Sequence, residues 1–228
     1  MSIQLLLPLE KRKLLSFESF YSDSNSMAYT TLTNWPQAIQ MIYLQGCHGS
    51  GKTHLAEALT HKMLIENKQV LLVSGQSAPA PHFFYELPKL DLFILDDLDT
   101  LLNFSPKYEE ALFTLYNHIF DQPQTKLLLT STAPIAQLPL KLKDLYSRLQ
   151  SMLLLKLHPP SAEALESIMT KQAKRLQLAL TPEMMTLLMQ QRHAHPVHML
   201  NNFVQQCAQD KKKPSLTYLK HFLNLMIQ

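Results

Sequence analysis

Glycine is scarce, with 4 residues in a chain of 228. A fold rich in left-handed turns would need more. Cysteine is scarcer still: Cys47 and Cys207 are the whole complement, far apart in sequence. That excludes a disulfide framework and any cysteine-rich metal site, and it points to the reducing cytoplasm. No apolar run approaches the ~18 residues of a membrane span, so no membrane association is expected. The N-terminal LLLPL is too short for a signal peptide, and its basic residues follow it rather than precede it. Charge imbalance is slight, at +3 with a pI near 8.7. Such a balance permits a polyanionic partner without demanding one, so contact with DNA is expected to be at most indirect or weak. What the chain has in quantity is apolar surface: 46% hydrophobic residues support a buried core and exclude a disordered composition.

Three of the few glycines fall together in GCHGSGKT, residues 46–53. The spacing G-x-x-x-x-G-K-[ST] is that of a phosphate-binding loop. Gly46, Gly49 and Gly51 let backbone N–H groups wrap an anion at close range, in conformations a Cβ would disfavour. Lys52 supplies a point charge to the β- and γ-phosphates of ADP or ATP, and the Thr53 hydroxyl is placed to ligate Mg²⁺. Ser50 and His54 complete the candidate phosphate-binding positions. An apolar run precedes the loop at 41–44 and a helix-like LAEALTHKML follows it, so the helix dipole reinforces the anion site. An ordinary glycine-rich turn is the plainer reading; the strand before the motif and the helix after it argue against that.

The other buried strands read as apolar runs without alternation, the pattern of a parallel sheet covered on both faces. They are expected at 40–45, 70–74, 92–95, 126–132 and 151–157, with helices at 53–67 and 108–120. This gives an α/β unit of five parallel strands with crossovers. Asp96 and Asp97 stand at the carboxyl end of the third strand, the edge where ligands sit in open α/β sheets. Asp96 suits completion of the Mg²⁺ site and Asp97 suits orienting or deprotonating an attacking water; a plain acidic turn is the alternative. The fourth strand ends in hydroxyls, and Thr130, Ser131 or Thr132 could reach a γ-phosphate. Arg148, in DLYSRLQ between the fourth and fifth strands, either reaches a nucleotide or is a surface arginine at a helix end. Spacing does not say whose nucleotide it would reach. Phe17, Phe20 and Tyr21 could wall a base pocket or simply pack in the core.

At His158-Pro159-Pro160 the pattern changes. The rest reads as four short helices, at 161–178, 182–191, 196–209 and 218–227, forming a small second domain. Thr181 is the expected cap of the second, with Pro182 at its first position, and Thr217 the expected cap of the fourth. Lys211, Lys212 and Lys213 are most simply a solvated linker. His193, His195 and His198 have no acidic or cysteine partner beside them, which argues against a metal site. The domain boundaries expected are therefore 1–12 for an N-terminal peptide, 13–158 for the α/β domain and 159–228 for a helical lid. The N-terminal peptide is either an edge strand or a docking segment, with Leu5, Leu7 and Leu9 filling a partner's pockets and Gln4 fixing register.

Taken together, these parts resemble the AAA+ ATPases. GCHGSGKTHL, LFILDDLDTL, LLLTSTAP and DLYSRLQ resemble the ATPase domain of the DnaA family in order and spacing over nearly the whole chain. Gln4-Leu5-Leu6-Leu7-Pro8-Leu9 resembles the Q-L-x-L-P-L peptide that docks on the DNA polymerase sliding clamp. A clamp-type peptide, with no helix-turn-helix domain after the lid, resembles the Hda branch, the regulatory inactivators of DnaA. The resemblance implies a nucleotide-bound adaptor that docks on the DNA-loaded clamp through Gln4, Leu5, Leu7, Pro8 and Leu9. It implies that Arg148 acts in trans as an arginine finger on ATP held by DnaA, and it leaves homodimer formation open. It also implies nucleotide sensing by Thr132 and by the lid position held here by His198. Two departures stand out: His198 replaces the relatives' arginine, and Thr132-Ala133 replaces their Asp-Arg pair. The alternative class is a self-sufficient AAA+ ATPase such as a DnaC-like helicase loader.

Overall fold

The computed structural model describes residues 15–190 and 196–225, without the side chains of His198 and Leu225. The N-terminal peptide, with Gln4, Leu5, Leu7, Pro8 and Leu9, lies outside the described residues, as do His193 and His195. The chain divides into two compact units, residues 1–158 and 159–228.

In the first unit the elements run α1 (Ser26–Thr33), β1 (Met41–Gly46), α2 (Lys52–Ile65), β2 (Val70–Ser74), β3 (Leu92–Asp96), α3 (Leu98–Phe104), α4 (Lys107–Phe120), β4 (Lys126–Ser131), α5 (Lys143–Gln150) and β5 (Leu153–Leu157). The strands form one parallel sheet in the order β2-β3-β4-β1-β5. Alternate residues of the central strands face opposite sides and build two cores. Tyr43, Phe93, Leu127 and Leu129 pack with residues of α3, α4 and α5. Ile42, Leu44, Ile94 and Leu128 pack with α1 and α2. Each fully buried side chain of this size contributes about 1.5–3 kcal/mol relative to exposure, which is why the central strands carry no polar face. The edge strands are less covered: β2 is mostly half-buried, and Leu153 and Leu154 of β5 are exposed. At the far end of β5 the Asn25 amide takes both backbone groups of His158, accepting from its N–H at 2.8 Å and donating to its carbonyl at 3.0 Å.

The structure differs from the sequence-based expectations in several places. β1, α2 and β5 begin or end one or two residues from the expected limits. Two helices, α1 and α3, occur where the sequence pattern assigned no element. Helix α3 forms because Asp97, with φ of 59°, turns the chain directly from β3 into a helix whose Leu98, Leu101 and Leu102 are buried. A left-handed aspartate can begin a helix at once, without the loop that an acidic pair suggests.

The second unit contains α6 (Ala162–Arg175), α7 (Pro182–Met189), α8 (Pro196–Gln209) and α9 (Leu216–Leu225) around a core that includes Met169, Leu188, Leu200, Phe203 and Leu219. Thr181 Oγ1 accepts from the Met184 N–H at 3.3 Å, the expected cap of α7. The cap of α9 is Ser215 rather than Thr217: its Oγ accepts from the Tyr218 N–H at 3.2 Å, so the helix starts two residues early. Both residues are hydroxyl-bearing, and only backbone direction distinguishes them.

Candidate nucleotide site

Residues 47–51 join β1 to α2 at the carboxyl edge of the sheet. Gly49 and Gly51 have φ of 76° and 99°. At Gly51 a Cβ would also come within 2.6 Å of the Phe20 ring. A tight loop with two left-handed glycines, leading directly into the first turn of α2, is the backbone form suited to phosphate oxygens. Lys52 is buried, and its Nζ donates to the carbonyl oxygens of Gly46 at 2.9 Å and Cys47 at 3.2 Å. An ammonium has three donors, so the loop anchors the charge and keeps a third N–H for an anion. Ser50 Oγ is buried with no hydrogen-bond partner among the described residues. It lies against Gly46, where an added Cβ would collide with it, so Gly46 leaves the room that this side chain fills.

The acidic half of the site is bound to the loop half. Thr53 Oγ1 donates to Asp96 Oδ2 at 2.7 Å, and Thr130 Oγ1 donates to Asp96 Oδ1 at 2.6 Å. Burial pushes the Asp96 carboxyl above the ordinary aspartate range; the Thr130 and Thr53 hydroxyls and the Lys52 charge oppose that, while Asp97 adds to it. Thr130 Oγ1 also accepts from the Asp97 N–H at 3.0 Å, and Gln76 Nε2 donates to Asp97 Oδ2 at 2.8 Å. The Asp97 carboxylate is thus oriented from β2's side of the sheet. Facing hydroxyl and carboxylate oxygens suit a hard divalent cation such as Mg²⁺, which takes one or two protein oxygens and keeps water and phosphate elsewhere. Thr53 and Asp96 would hold it. Among the described residues there is no cluster of three or more His, Cys, Asp or Glu, so no all-protein metal cage is built here.

Beside α2, His54 Nε2 lies 3.0 Å from the Ser16 carbonyl and 3.1 Å from Ser19 Oγ, with its ring edge-on to Phe20. Phe20 in turn stacks with Tyr29. His54 therefore ties the segment before α1 to the phosphate loop.

Arg148 stands elsewhere. β5 is in register with β1 from Leu153 beside Ile42 to Leu157 beside Gly46. Arg148 is in the last turn of α5, which leads into the Leu153 end, while the phosphate loop follows Gly46 at the other. The length of the strand, four steps of about 3.3 Å or roughly 13 Å, separates the two ends. The Arg148 side chain is exposed, and its guanidinium lies over the rings of Tyr116 and Phe120 at 5.7 and 5.5 Å.

A profile of the bacterial DnaA ATPase domain matches residues 11–158, well over half of the chain. The chain belongs to that family. A Haemophilus influenzae protein of uncharacterised function is 31% identical over 153 residues, covering 65% of this chain and 66% of its own length. Domain III of the Thermotoga maritima replication initiation protein DnaA superposes with a TM-score of 0.70 at 20% identity, over 92% of this chain and 95% of that one. AMPPCP-bound DnaA from Aquifex aeolicus superposes with a TM-score of 0.64 at 18% identity, over 83% of this chain and 64% of that one. The matches thus span about two thirds of the H. influenzae and A. aeolicus chains. At these identities the structural likeness shows the fold, an AAA+ α/β module with a helical C-terminal part. No described helix is long and apolar enough to cross a membrane.

Within this DnaA-type domain the structure brings Gly46, Gly49, Ser50, Gly51, Lys52, Thr53, Asp96 and Asp97 to one sheet edge, with Thr130 bonded to both aspartates. Thr132 is bonded differently: its N–H donates to Asp99 Oδ1 at 3.2 Å and its hydroxyl donates to Asp99 Oδ2. The side chain of His198 lies outside the described residues. Gln76 escaped the sequence reading altogether. Its signal is positional: Ser74 pairs with Asp96 in the register of β2 on β3, so the residues just after Ser74 arrive beside Asp97.

Proposed function

We propose that this protein is a nucleotide-bound AAA+ adaptor that regulates replication initiation in the cytoplasm. It docks on the DNA-loaded sliding clamp through Gln4, Leu5, Leu7, Pro8 and Leu9 and promotes hydrolysis of ATP held by DnaA. The observation that carries the reading is the placement of Arg148, exposed and a strand's length from the chain's own phosphate loop. An arginine so placed is better suited to a neighbouring subunit's nucleotide than to its own. In that reaction water attacks the γ-phosphorus of the ATP on DnaA, the bond to the β-phosphate oxygen breaks, and ADP and phosphate result. The Arg148 guanidinium offsets negative charge on the transferring phosphoryl group and the departing oxygen. Such a contact is worth about 10³–10⁵ in rate, or roughly 4–7 kcal/mol of barrier.

The chain's own ADP or ATP has a different role in this reading. Gly46, Gly49, Ser50, Gly51 and Lys52 hold its phosphates and Thr53 with Asp96 holds Mg²⁺, which neutralises phosphate charge when bound. Thr132 and His198 are the proposed sensing positions, and His198 would make phosphate contact pH-sensitive because imidazole is mostly neutral near pH 7. One observation favours a second reading, a self-sufficient ATPase of the helicase-loader type. Asp97 is oriented by Gln76 beside an intact Lys52, Thr53 and Asp96, a set able to activate water.

The test is a reconstituted assay with DNA-loaded clamp and ATP-bound DnaA, following conversion of the bound ATP to ADP. Arg148→Ala should lower stimulated hydrolysis about 10³-fold while the protein's own nucleotide affinity is kept. Alanine at Gln4, Leu7 and Leu9 together should abolish clamp binding in a pull-down. Unchanged hydrolysis with Arg148→Ala sinks the trans-acting role. Rapid ATP turnover by the protein alone, indifferent to clamp, establishes the loader-type reading instead.

A further inference from the structure

We infer that α4 is the positioning frame of Arg148, and that Glu109, Tyr116 and Phe120 are its positioning residues. The inference rests on the proposed action of Arg148 on a neighbour's nucleotide. The three residues follow one another at i, i+7 and i+11 along α4, a spacing that places them on one face of a helix. At one end, the buried Glu109 carboxylate accepts from the backbone N–H groups of Lys141, at 2.6 Å, and Leu142. Leu142 immediately precedes α5, so a charge-assisted pair of hydrogen bonds pins the entrance of the helix that carries Arg148. At the other end, the Tyr116 hydroxyl lies 3.0 Å from Ser151 Oγ, which donates to the Arg148 carbonyl at 2.7 Å. With that serine proton committed, Tyr116 is the donor in the first bond. The relay ends on the backbone of Arg148 itself.

The side chain is held as well. The Tyr116 and Phe120 rings lie nearly parallel, 6.3 Å apart at 15°, and the guanidinium rests over both. Packing alone does not require this shelf. Leu112, Leu115, Leu145 and Leu149 already form the buried contact of α4 with α5, whereas Phe120 is 52% exposed. Among the described residues no carboxylate lies within 4.0 Å of Arg148. The choice of an aromatic support has a chemical consequence. A carboxylate partner would occupy the in-plane N–H donors and would have to be displaced before they met a phosphoryl oxygen. A ring face takes none of them, so the arginine is oriented without its donors being used.

The frame is tested in the full-length protein by following the Arg148 Nε–Hε group by NMR relaxation. The native side chain should be restrained and should carry a ring-current shift. Phe120→Leu should release it and remove the shift while barely changing the thermal midpoint, and Phe120→Tyr should restore both. Equal mobility in native and Phe120→Leu protein overturns the frame. In the DnaA assay Phe120→Leu should lower the maximal hydrolysis rate about 10-fold, with affinity for DnaA kept and no further loss once Arg148→Ala is present. A loss that adds to that of Arg148→Ala also overturns the frame. If Arg148→Ala itself leaves hydrolysis unchanged, the trans-acting role fails and the NMR comparison decides the frame by itself.

Discussion

The two ends of one sheet handle charge in opposite ways. At the carboxyl edge Lys52 bonds to its own loop, and Thr53 and Thr130 both bond to Asp96, most of them buried. At the amino edge Arg148 is exposed, lies on aromatic faces and meets no carboxylate among the described residues. The first arrangement suits a ligand that enters a site already assembled within the chain. The second suits a group whose electrostatic partner arrives with another molecule. A charge placed in water loses little to desolvation, but it also gains little until water is excluded around it. Under the proposed function, Arg148 would therefore be inexpensive to keep in readiness and would become strong only in a closed interface.

Three changes at the carboxyl edge probe whether the two ends are independent. Lys52→Ala removes a buried ammonium from the phosphate loop and should weaken ADP and ATP binding roughly 10- to 100-fold, measured by calorimetry. Its effect on the Arg148 Nε–Hε resonance should be nil; a shift there would show the ends to be coupled. Gly51→Ala forces an alanine to φ of 99° and its Cβ onto the Phe20 ring. It should cost about 2 kcal/mol of stability in denaturant unfolding, together with a loss of nucleotide affinity. If Phe20 swings aside without cost, the aromatic segment before α1 is not part of the loop's support.

The smallest expected effect is the most diagnostic. The Asp96 pKa is raised in the folded protein, chiefly by burial. A raised folded-state value means this group's stabilising contribution is present below the ordinary aspartate range and is lost as pH rises through the folded-state value. At neutral pH the buried carboxylate is therefore a burden on the nucleotide- and magnesium-free fold. Asp96→Asn should raise the thermal midpoint of that form at pH 7, with the difference shrinking as pH falls toward 4, and should abolish any Mg²⁺ dependence of nucleotide affinity. A lower midpoint across the whole range would mean that the Thr53 and Thr130 bonds outweigh burial.

The sheet was legible in the sequence because parallel strands covered on both faces must be apolar throughout. VLLVS and LFILD cannot be surface loops. The phosphate loop was legible because its chemistry is local: three glycines, a lysine and a threonine within eight residues. Pairings that depend on register were not. Nothing in the spacing of Gln76 and Asp97 tells that β2 lies beside β3, and nothing near Arg148 tells which edge of the sheet it occupies. Helix α1 was missed because SMAYTTLT combines three threonines with two strongly apolar residues, Met27 and Leu32, five positions apart rather than at helical spacing. Its helical form is decided by packing of Ala28 and Leu32 rather than by propensity. Thr130 and Thr132 were indistinguishable as strand-end hydroxyls, and only the turn into α3 sends one to Asp96 and the other to Asp99.

The paired hydrogen bonds between Asn25 and His158 have a consequence for the border of the sheet. An additional strand beside the end of β5 would offer His158 one donor and one acceptor, and the Asn25 amide already provides both. A single side chain therefore plays the part of a sixth strand at that point. It blocks edge-to-edge growth where the ladder ends. It also fastens the last residue of the α/β unit to a segment more than a hundred positions earlier, so the chain leaves that unit from an anchored point instead of a frayed one.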